Sequence, residues 1–286
     1  MAISAASVKE LREKTGAGMM DCQRALQEAN GDLEEAVKIL RKKGLSAAAK
    51  KAGRAAKEGL VAIAVIEGSL RGGMVELNCE TDFVARTEQY QAFAQALADQ
   101  VAADGASDVE KVKATRYVGD PLHTVAEVIS TQISTIGENI LLSRVGFLTA
   151  GHGMQIGSYL HMGGKIGVLV EVSASADAET AKDVAMQVAA AEPRYVSREA
   201  VPAEIVKEEL EIAKAQAASS GKPAHVIDKI AEGKLGKFYE QVCLVDQPFV
   251  KEPERKVSDM LAARGGVIVK SFLRFKVGEG AEASEK

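Results

Sequence analysis

The sequence predicts an α+β protein. A three-helix N-terminal module precedes a core built from two copies of a hairpin-plus-helix unit, and a helical (coiled-coil) hairpin is inserted into the second copy. Three observations carry this reading. First, residues 61–80 and 158–174 are runs of alternating apolar residues interrupted by glycines, and each reads as strand, glycine-rich turn, strand. Second, each run is followed by a helical stretch, expected from about Thr81 to Ala103 and from about Asp177 to Ala191. These stretches carry the related hexapeptides Ala98-Asp-Gln-Val-Ala-Ala103 and Ala185-Met-Gln-Val-Ala-Ala190. Third, residues 1–42 hold three short amphipathic segments separated by turn-forming residues.

In the first of these segments Ser7 with Glu10 reads as a capping box, and Thr15-Gly-Ala-Gly18 ends the helix. The second runs from about Met19 to Ala29 and stops at Asn30-Gly31. Asp32 with Glu35 opens the third, whose Leu33, Val37, Ile39 and Leu40 supply an apolar face. A unit of this size has little core and suits binding better than catalysis. Residues 42–59 are alanine-rich and basic. They read as a connector able to be helical, with Lys50, Lys51, Arg54 and Lys57 either solvated or held against nucleic acid. Solvation is favoured because no aromatic residue interleaves to stack on bases. Thr124-Val-Ala-Glu127 opens a helix between the two copies, and its Val125, Val128, Ile129, Ile133, Ile136 and Ile140 are expected to form a core stripe. Pro202 suits a first helical turn, and residues 219–223 read as the turn of a projecting helical hairpin. A closing strand occupies residues 265–277.

The expected divisions are 1–55 (module and basic connector), 56–150 (first half of the core), 151–192 with 243–277 (second half), 193–242 (inserted arm for dimerisation or partner binding) and 278–286 (a flexible tail).

Bulk properties narrow the class. The chain has 286 residues, 47% of them apolar, which is enough for a sizeable core. Only 4% are aromatic and tryptophan is absent, so that core is aliphatic. A net charge of −4 argues against a surface that binds nucleic acid throughout. Cys22, Cys79 and Cys243 are odd in number and far apart, which suits a reducing compartment. No apolar run approaches the length of a membrane span, and the N-terminus turns polar at once. A soluble cytoplasmic protein is expected.

Catalytic signatures are missing. Gly233-Lys-Leu-Gly-Lys237 lacks the first glycine of a phosphate-binding loop and ends in Phe238. His123, His152, His161 and His225 are scattered, and no paired metal-ligand spacing occurs. Cys79 beside Glu80 reads as a buried small residue at a strand end. No enzyme activity, cofactor or metal is expected.

Two features remain. Asp82-Phe83 stands at a helix start, where capping needs neither a carboxylate beyond Thr81 nor a large aromatic. Core packing and a surface wedge are both open readings, and the second copy, with Ser175-Ala-Asp177, manages without the phenylalanine. Met19-Met20 are adjacent, so they point about 100° apart on a helix. One is expected in the core and the other on an adaptable surface.

Two segments carry a resemblance to a known family: Glu76-Leu-Asn-Cys-Glu-Thr-Asp-Phe-Val-Ala-Arg86 and Leu11-Arg-Glu-Lys-Thr-Gly-Ala-Gly-Met-Met-Asp-Cys-Gln-Arg-Ala-Leu26. Shorter support comes from the stretches His161–Glu171 and Asp246–Phe249. The sequence closely resembles the bacterial elongation factor Ts family over nearly its full length, departing at Gln23, where the family usually has lysine. The resemblance implies a ubiquitin-associated-like fold for the three-helix module. It also implies guanine-nucleotide exchange on elongation factor Tu, without a cofactor or specific nucleic acid. Carried across, the motif that disturbs the partner's magnesium site is Thr81, Asp82, Phe83 and Val84. Met19, Met20 and His161 match partner-contact positions. Some members continue past the final strand with a further gripping helix; this sequence ends at Lys286, so that contact is not expected. An RNA-binding translation accessory using the basic connector is the alternative.

Overall fold

The computed structural model describes residues 3–66, 68, 70–218 and 223–279. Helices α1 (Ala5–Thr15), α2 (Met19–Glu28) and α3 (Leu33–Lys51) come first. Ser4 caps α1, its hydroxyl accepting from Ser7 N at 3.0 Å. The cap therefore lies three residues before the expected Ser7, which sits inside the first turn. Gly16, at φ 64°, ends α1, and Asn30 and Gly31, both at positive φ, follow α2. Asp32 opens α3 by accepting from Glu35 N at 3.0 Å. Leu11, Cys22, Ala25, Leu26, Ala29 and Ala36 form the small core of this module.

The first half of the main core contains β1 (Glu58–Ile66), β2 (Arg71–Cys79), α4 (Asp82–Ala85), α5 (Glu88–Asp104), α6 (Val109–Ala114), β3 (Arg116–Tyr117), β4 (Asp120–Thr124), α7 (Val125–Ile136) and β5 (Ile140–Thr149). The second half begins with β6 (Met154–His161), a tight turn at Met162–Gly164, β7 (Ile166–Ser173) and α8 (Ala178–Ala191). Helices α9 (Ala203–Ala218) and α10 (Ala224–Val242) interrupt it. It resumes with β8 (Pro248–Phe249), β9 (Glu252–Lys256), α11 (Val257–Ala263) and β10 (Val269–Lys276).

Two antiparallel sheets result, ordered β1-β2-β5 and β10-β7-β6. Period-2 alternation gives each sheet two packed faces. Leu60, Ala62, Ala64, Val75, Leu77 and Cys79 face α5, while Val61, Met74 and Leu169 meet between the sheets. Val168, Val170 and Val172 face α8. Gly72 and Gly73 lie inside β2 rather than in the expected glycine-rich turn. A Cβ at Gly73 would stand 2.4 Å from Ala102 N and 2.5 Å from Ala98 O, so glycine lets α5 approach the strand. Of the turn itself, Glu67 and Ser69 lie outside the described residues.

The duplication extends beyond the expected hairpin and helix. Gln100 in α5 donates to Thr115 Oγ1 and Arg116 O and accepts from Val118 N. Gln187 in α8 donates to Gln247 Oε1 and Pro248 O and accepts from Val250 N. Each glutamine thus anchors a two-stranded ribbon, then a helix, then the third strand of its sheet. The sequence signal is Tyr117-Val-Gly-Asp-Pro121 against Phe249-Val-Lys-Glu-Pro253. It is easily missed because the inserted arm pushes the second copy far downstream.

Three further expectations change. The helix expected from Thr81 to Ala103 is broken into α4 and α5, because Thr81 and Thr87 each cap a helix start, accepting from Val84 N and Tyr90 N. Helix α3 does not stop near residue 42 but continues through the basic connector to Lys51, and its later turns pack on α7. Buried Gly44 brings the two helices close: a Cβ there would lie 3.5 Å from Ser130 O. Finally, Gly278 and Glu279 at the start of the expected tail are held. Gly278 N donates to buried Glu76 at 2.8 Å, and Glu279 pairs with Arg274 at 3.2 Å. The rest of the tail, and Ser219–Lys222 of the arm's turn, lie outside the described residues.

In the arm, Lys214 pairs with Asp228 at 3.2 Å and Lys234 donates to Gln216 at 2.7 Å, linking α9 to α10. Its base is tied to the core by the Arg198–Asp246 pair at 2.5 Å and a bridge between Tyr195 and Cys243. Gly233–Lys237, the incomplete phosphate-loop sequence, is helical within α10.

Candidate functional site

The segment between β2 and α5 carries the largest difference between the two halves. In the second half, β7 runs through Ala174–Ala176 to Asp177, which caps α8 by accepting from Thr180 N at 2.7 Å. In the first half, a complete helical turn, α4, stands between strand and long helix. Asp177 therefore corresponds to Thr87, the cap of α5, and not to Asp82 as the sequence pairing suggests. Thr81–Val84 belong to structure the second copy lacks.

Phe83 is 79% exposed at the top of α4. Val84 packs on the core and Ala85 is buried, so the turn is seated from one side and presents its ring on the other. Asp82 pairs with Arg86 at 2.8 Å. That pair is exposed, contributes at most about 1 kcal/mol, and opens readily.

The seat beneath is polar and closely bonded. Glu80 N and Thr81 N both donate to Glu138 Oε2 at 3.0 Å, and Thr81 Oγ1 donates to Glu138 Oε1 at 2.6 Å. In return Glu80 Oε1 accepts from Asn139 N at 2.7 Å. The Asn139 N–H, with the Arg54 guanidinium beyond it, holds the Glu80 carboxyl below the usual carboxylate range. Cys79 Sγ lies 3.1 Å from Thr81 O as donor, and burial pushes its thiol pKa up, consistent with an inert packing role. Sequence reasoning misses Glu138 and Asn139, although a carboxylate directly after the helix-ending Gly137 is an available signal.

Met19 and Met20 are 59% and 62% exposed. The expectation that one joins the core is incorrect. The inward face of α2 is already filled by Cys22, Ala25 and Leu26, and both methionines lie on its first turn, ahead of that face. His161 is exposed at the end of β6, its Nδ1 3.0 Å from Tyr159 OH. The turn after it joins the α4 end of the molecule: Lys165 donates to Glu58 Oε2 at 2.6 Å, and Glu58 is the ladder partner of Cys79. His161 and Phe83 thus lie towards one end of the stacked sheets. A cleft of about 350 Å³ lies beside the α3–α7 contact, lined by Gly18 and Asp21 of the N-terminal module on one side and Asp120, His123 and Glu127 on the other. Near it stands Leu122, 80% exposed, where the second copy has Glu254.

Of the basic connector residues, Lys51 donates to Ile133 O at 3.1 Å and Arg54 pairs with Glu80 at 3.4 Å, so two of the four bond to the core. Among the described residues, no group of acidic, histidine and cysteine side chains could hold a metal ion, and no helix is long and apolar enough to cross a membrane.

A family model described as "Elongation factor TS" matches residues 80–279, which run from the end of β2 through α4 and α5, the second half of the core and the arm. Elongation factor Ts of Clostridium perfringens (strain SM101 / Type A) is 45% identical over 293 aligned positions, covering 99% of this chain and 96% of that protein. The chain belongs to the elongation factor Ts family.

Proposed function

We propose that this chain is a guanine-nucleotide exchange factor for elongation factor Tu, acting by binding and without covalent chemistry. The observation that carries this reading is Phe83, held proud of the surface on a clamped turn that the second copy lacks. On this reading Phe83 enters an apolar slot of the partner's GTPase domain and displaces the elements that hold the magnesium ligands. Magnesium offsets the phosphate charge, so a disturbed site holds nucleotide less tightly. Asp82 leaves Arg86 and perturbs hydrogen bonds or repels the phosphate side, while Thr81 and Val84 fix the turn from below. Met19 and Met20 meet the nucleotide-binding domain, and His161 adds a contact from the second half. The α9–α10 arm serves dimerisation or partner binding. No cofactor or specific nucleic acid is required. The buried, unpaired Cys22, Cys79 and Cys243 fit a cytoplasmic setting.

Exchange is thermodynamic linkage. The factor prefers the nucleotide-free partner, and nucleotide weakens the factor's binding by the same coupling free energy. The direct test is release of a fluorescent GDP analogue from elongation factor Tu, with and without this protein. An unaccelerated release overturns the reading.

One prediction concerns affinity. Met19→Ala together with Met20→Ala weakens the complex by about 30-fold, since each truncation removes apolar contact near 1 kcal/mol. Both side chains are exposed in the free protein, so its melting is unchanged. Calorimetric titration that returns wild-type affinity removes both residues from the interface.

A further inference from the structure

Three separate chain segments converge under the Phe83 turn. The end of the N-terminal module contributes Lys51 and Arg54, the strand-to-turn linker contributes Glu80 and Thr81, and the exit of α7 contributes Ile133, Glu138 and Asn139. Asn139 is buried; its side-chain amide donates to Arg54 O at 2.8 Å while its backbone N–H donates to Glu80. Arg54 closes the loop through its pair with Glu80, and Lys51 binds the last turn of α7 at Ile133 O.

We propose that Glu138 and Asn139 form a junction fixing the Phe83 turn in register with the N-terminal module, with Glu138 the positioning residue for Phe83. This rests on the exchange reading above and deepens it. The chemistry requires a carboxylate. The β2 ladder ends at Cys79 and α4 begins at Asp82, so the N–H groups of Glu80 and Thr81 need an outside acceptor. Glu138 satisfies both with one oxygen and takes the Thr81 hydroxyl with the other. That second bond orients the hydroxyl, whose oxygen in turn accepts from Val84 N at 3.5 Å and caps α4. Glu138 therefore acts on Phe83 through the cap.

The second copy supplies an internal control. It has no α4, and where α7 exits through Gly137-Glu138-Asn139, α11 exits through Arg264-Gly265-Gly266 without a carboxylate. The extra turn and its acceptor occur together or not at all. Functionally, the methionine surface and the phenylalanine belong to one rigid body, so docking of the module delivers Phe83 at a fixed position. The coupling is physical contact along named bonds, not spatial proximity.

The test uses the full chain with Glu138→Ala and needs two readouts. In the free protein, the readout is trypsin cleavage after Arg86, between α4 and α5. The variant is cut there about 10-fold faster or more, because at least one charge-assisted hydrogen bond that restrains local opening is gone. Cleavage elsewhere is unchanged, and Glu138→Gln, which keeps one acceptor oxygen, lies between variant and wild type. With elongation factor Tu, Glu138→Ala slows stimulated GDP release by about 10-fold, and the double variant with Phe83→Ala is no slower than Phe83→Ala alone. Wild-type cleavage at Arg86, or losses that multiply in the double variant, overturns the proposal. Should Glu138→Ala unfold, Glu138→Gln carries the same comparisons. If wild-type protein fails to accelerate release, the exchange reading falls, and the proteolysis arm still decides the junction.

Discussion

Phe83→Ala slows stimulated GDP release from elongation factor Tu by about 10- to 100-fold, while the free protein keeps its stability within about 0.5 kcal/mol. The two halves of this expectation have separate causes. In the free protein the ring is 79% exposed, so truncating it removes little packing and opens no cavity. In the complex that precedes release, burial of the same ring contributes roughly 1.5–3 kcal/mol. Only an interaction that forms after encounter speeds release; one made equally at all stages changes affinity alone. Stopped-flow release at saturating factor separates the two. A rate equal to wild type means that Phe83 does not act as a wedge, and a lowered melting point means that it packs in the protein after all.

The value of Phe83 as a site residue is legible in the sequence only through comparison of the two copies, and sequence pairing alone sets Asp177 against the wrong residue. The hexapeptides around Gln100 and Gln187 disclose the repeat because both glutamines are buried and satisfy backbone groups, which leaves little freedom of residue type. The break between α4 and α5 is not legible. Both Thr81 and Thr87 are good caps, and periodicity continues across the gap, so sequence alone reads one helix. Met19 and Met20 depart from expectation for a related reason. Adjacent residues on an isolated helix do point apart, but whether either direction meets core depends on where the neighbouring helices lie. The Glu138–Asn139 junction is a long-range contact, more than fifty residues from the turn it holds, and no local pattern announces such a pairing.

The repeat makes its own prediction about stability. Gln187→Leu lowers the stability of the protein by about 2–5 kcal/mol, and Gln100→Leu costs a similar amount. Leucine fills nearly the same space, so the loss is not a cavity effect. It comes from Val250 N, Pro248 O and Gln247, which lose their partner in a buried setting. In the other half the orphaned groups are Val118 N, Arg116 O and Thr115. Each unsatisfied group costs about 1–3 kcal/mol. Neither glutamine reaches α4, so exchange per folded molecule is retained in both variants, in contrast to Phe83→Ala. Urea unfolding followed by circular dichroism gives the comparison. If either substitution shifts stability by less than about 0.5 kcal/mol, the ribbons are held by something other than these amides. If Gln100→Leu is silent while Gln187→Leu is not, the two halves are alike in path but not in energetics. The first ribbon would then be fastened chiefly by Tyr117, which packs edge-to-face on Phe93 at 5.5 Å.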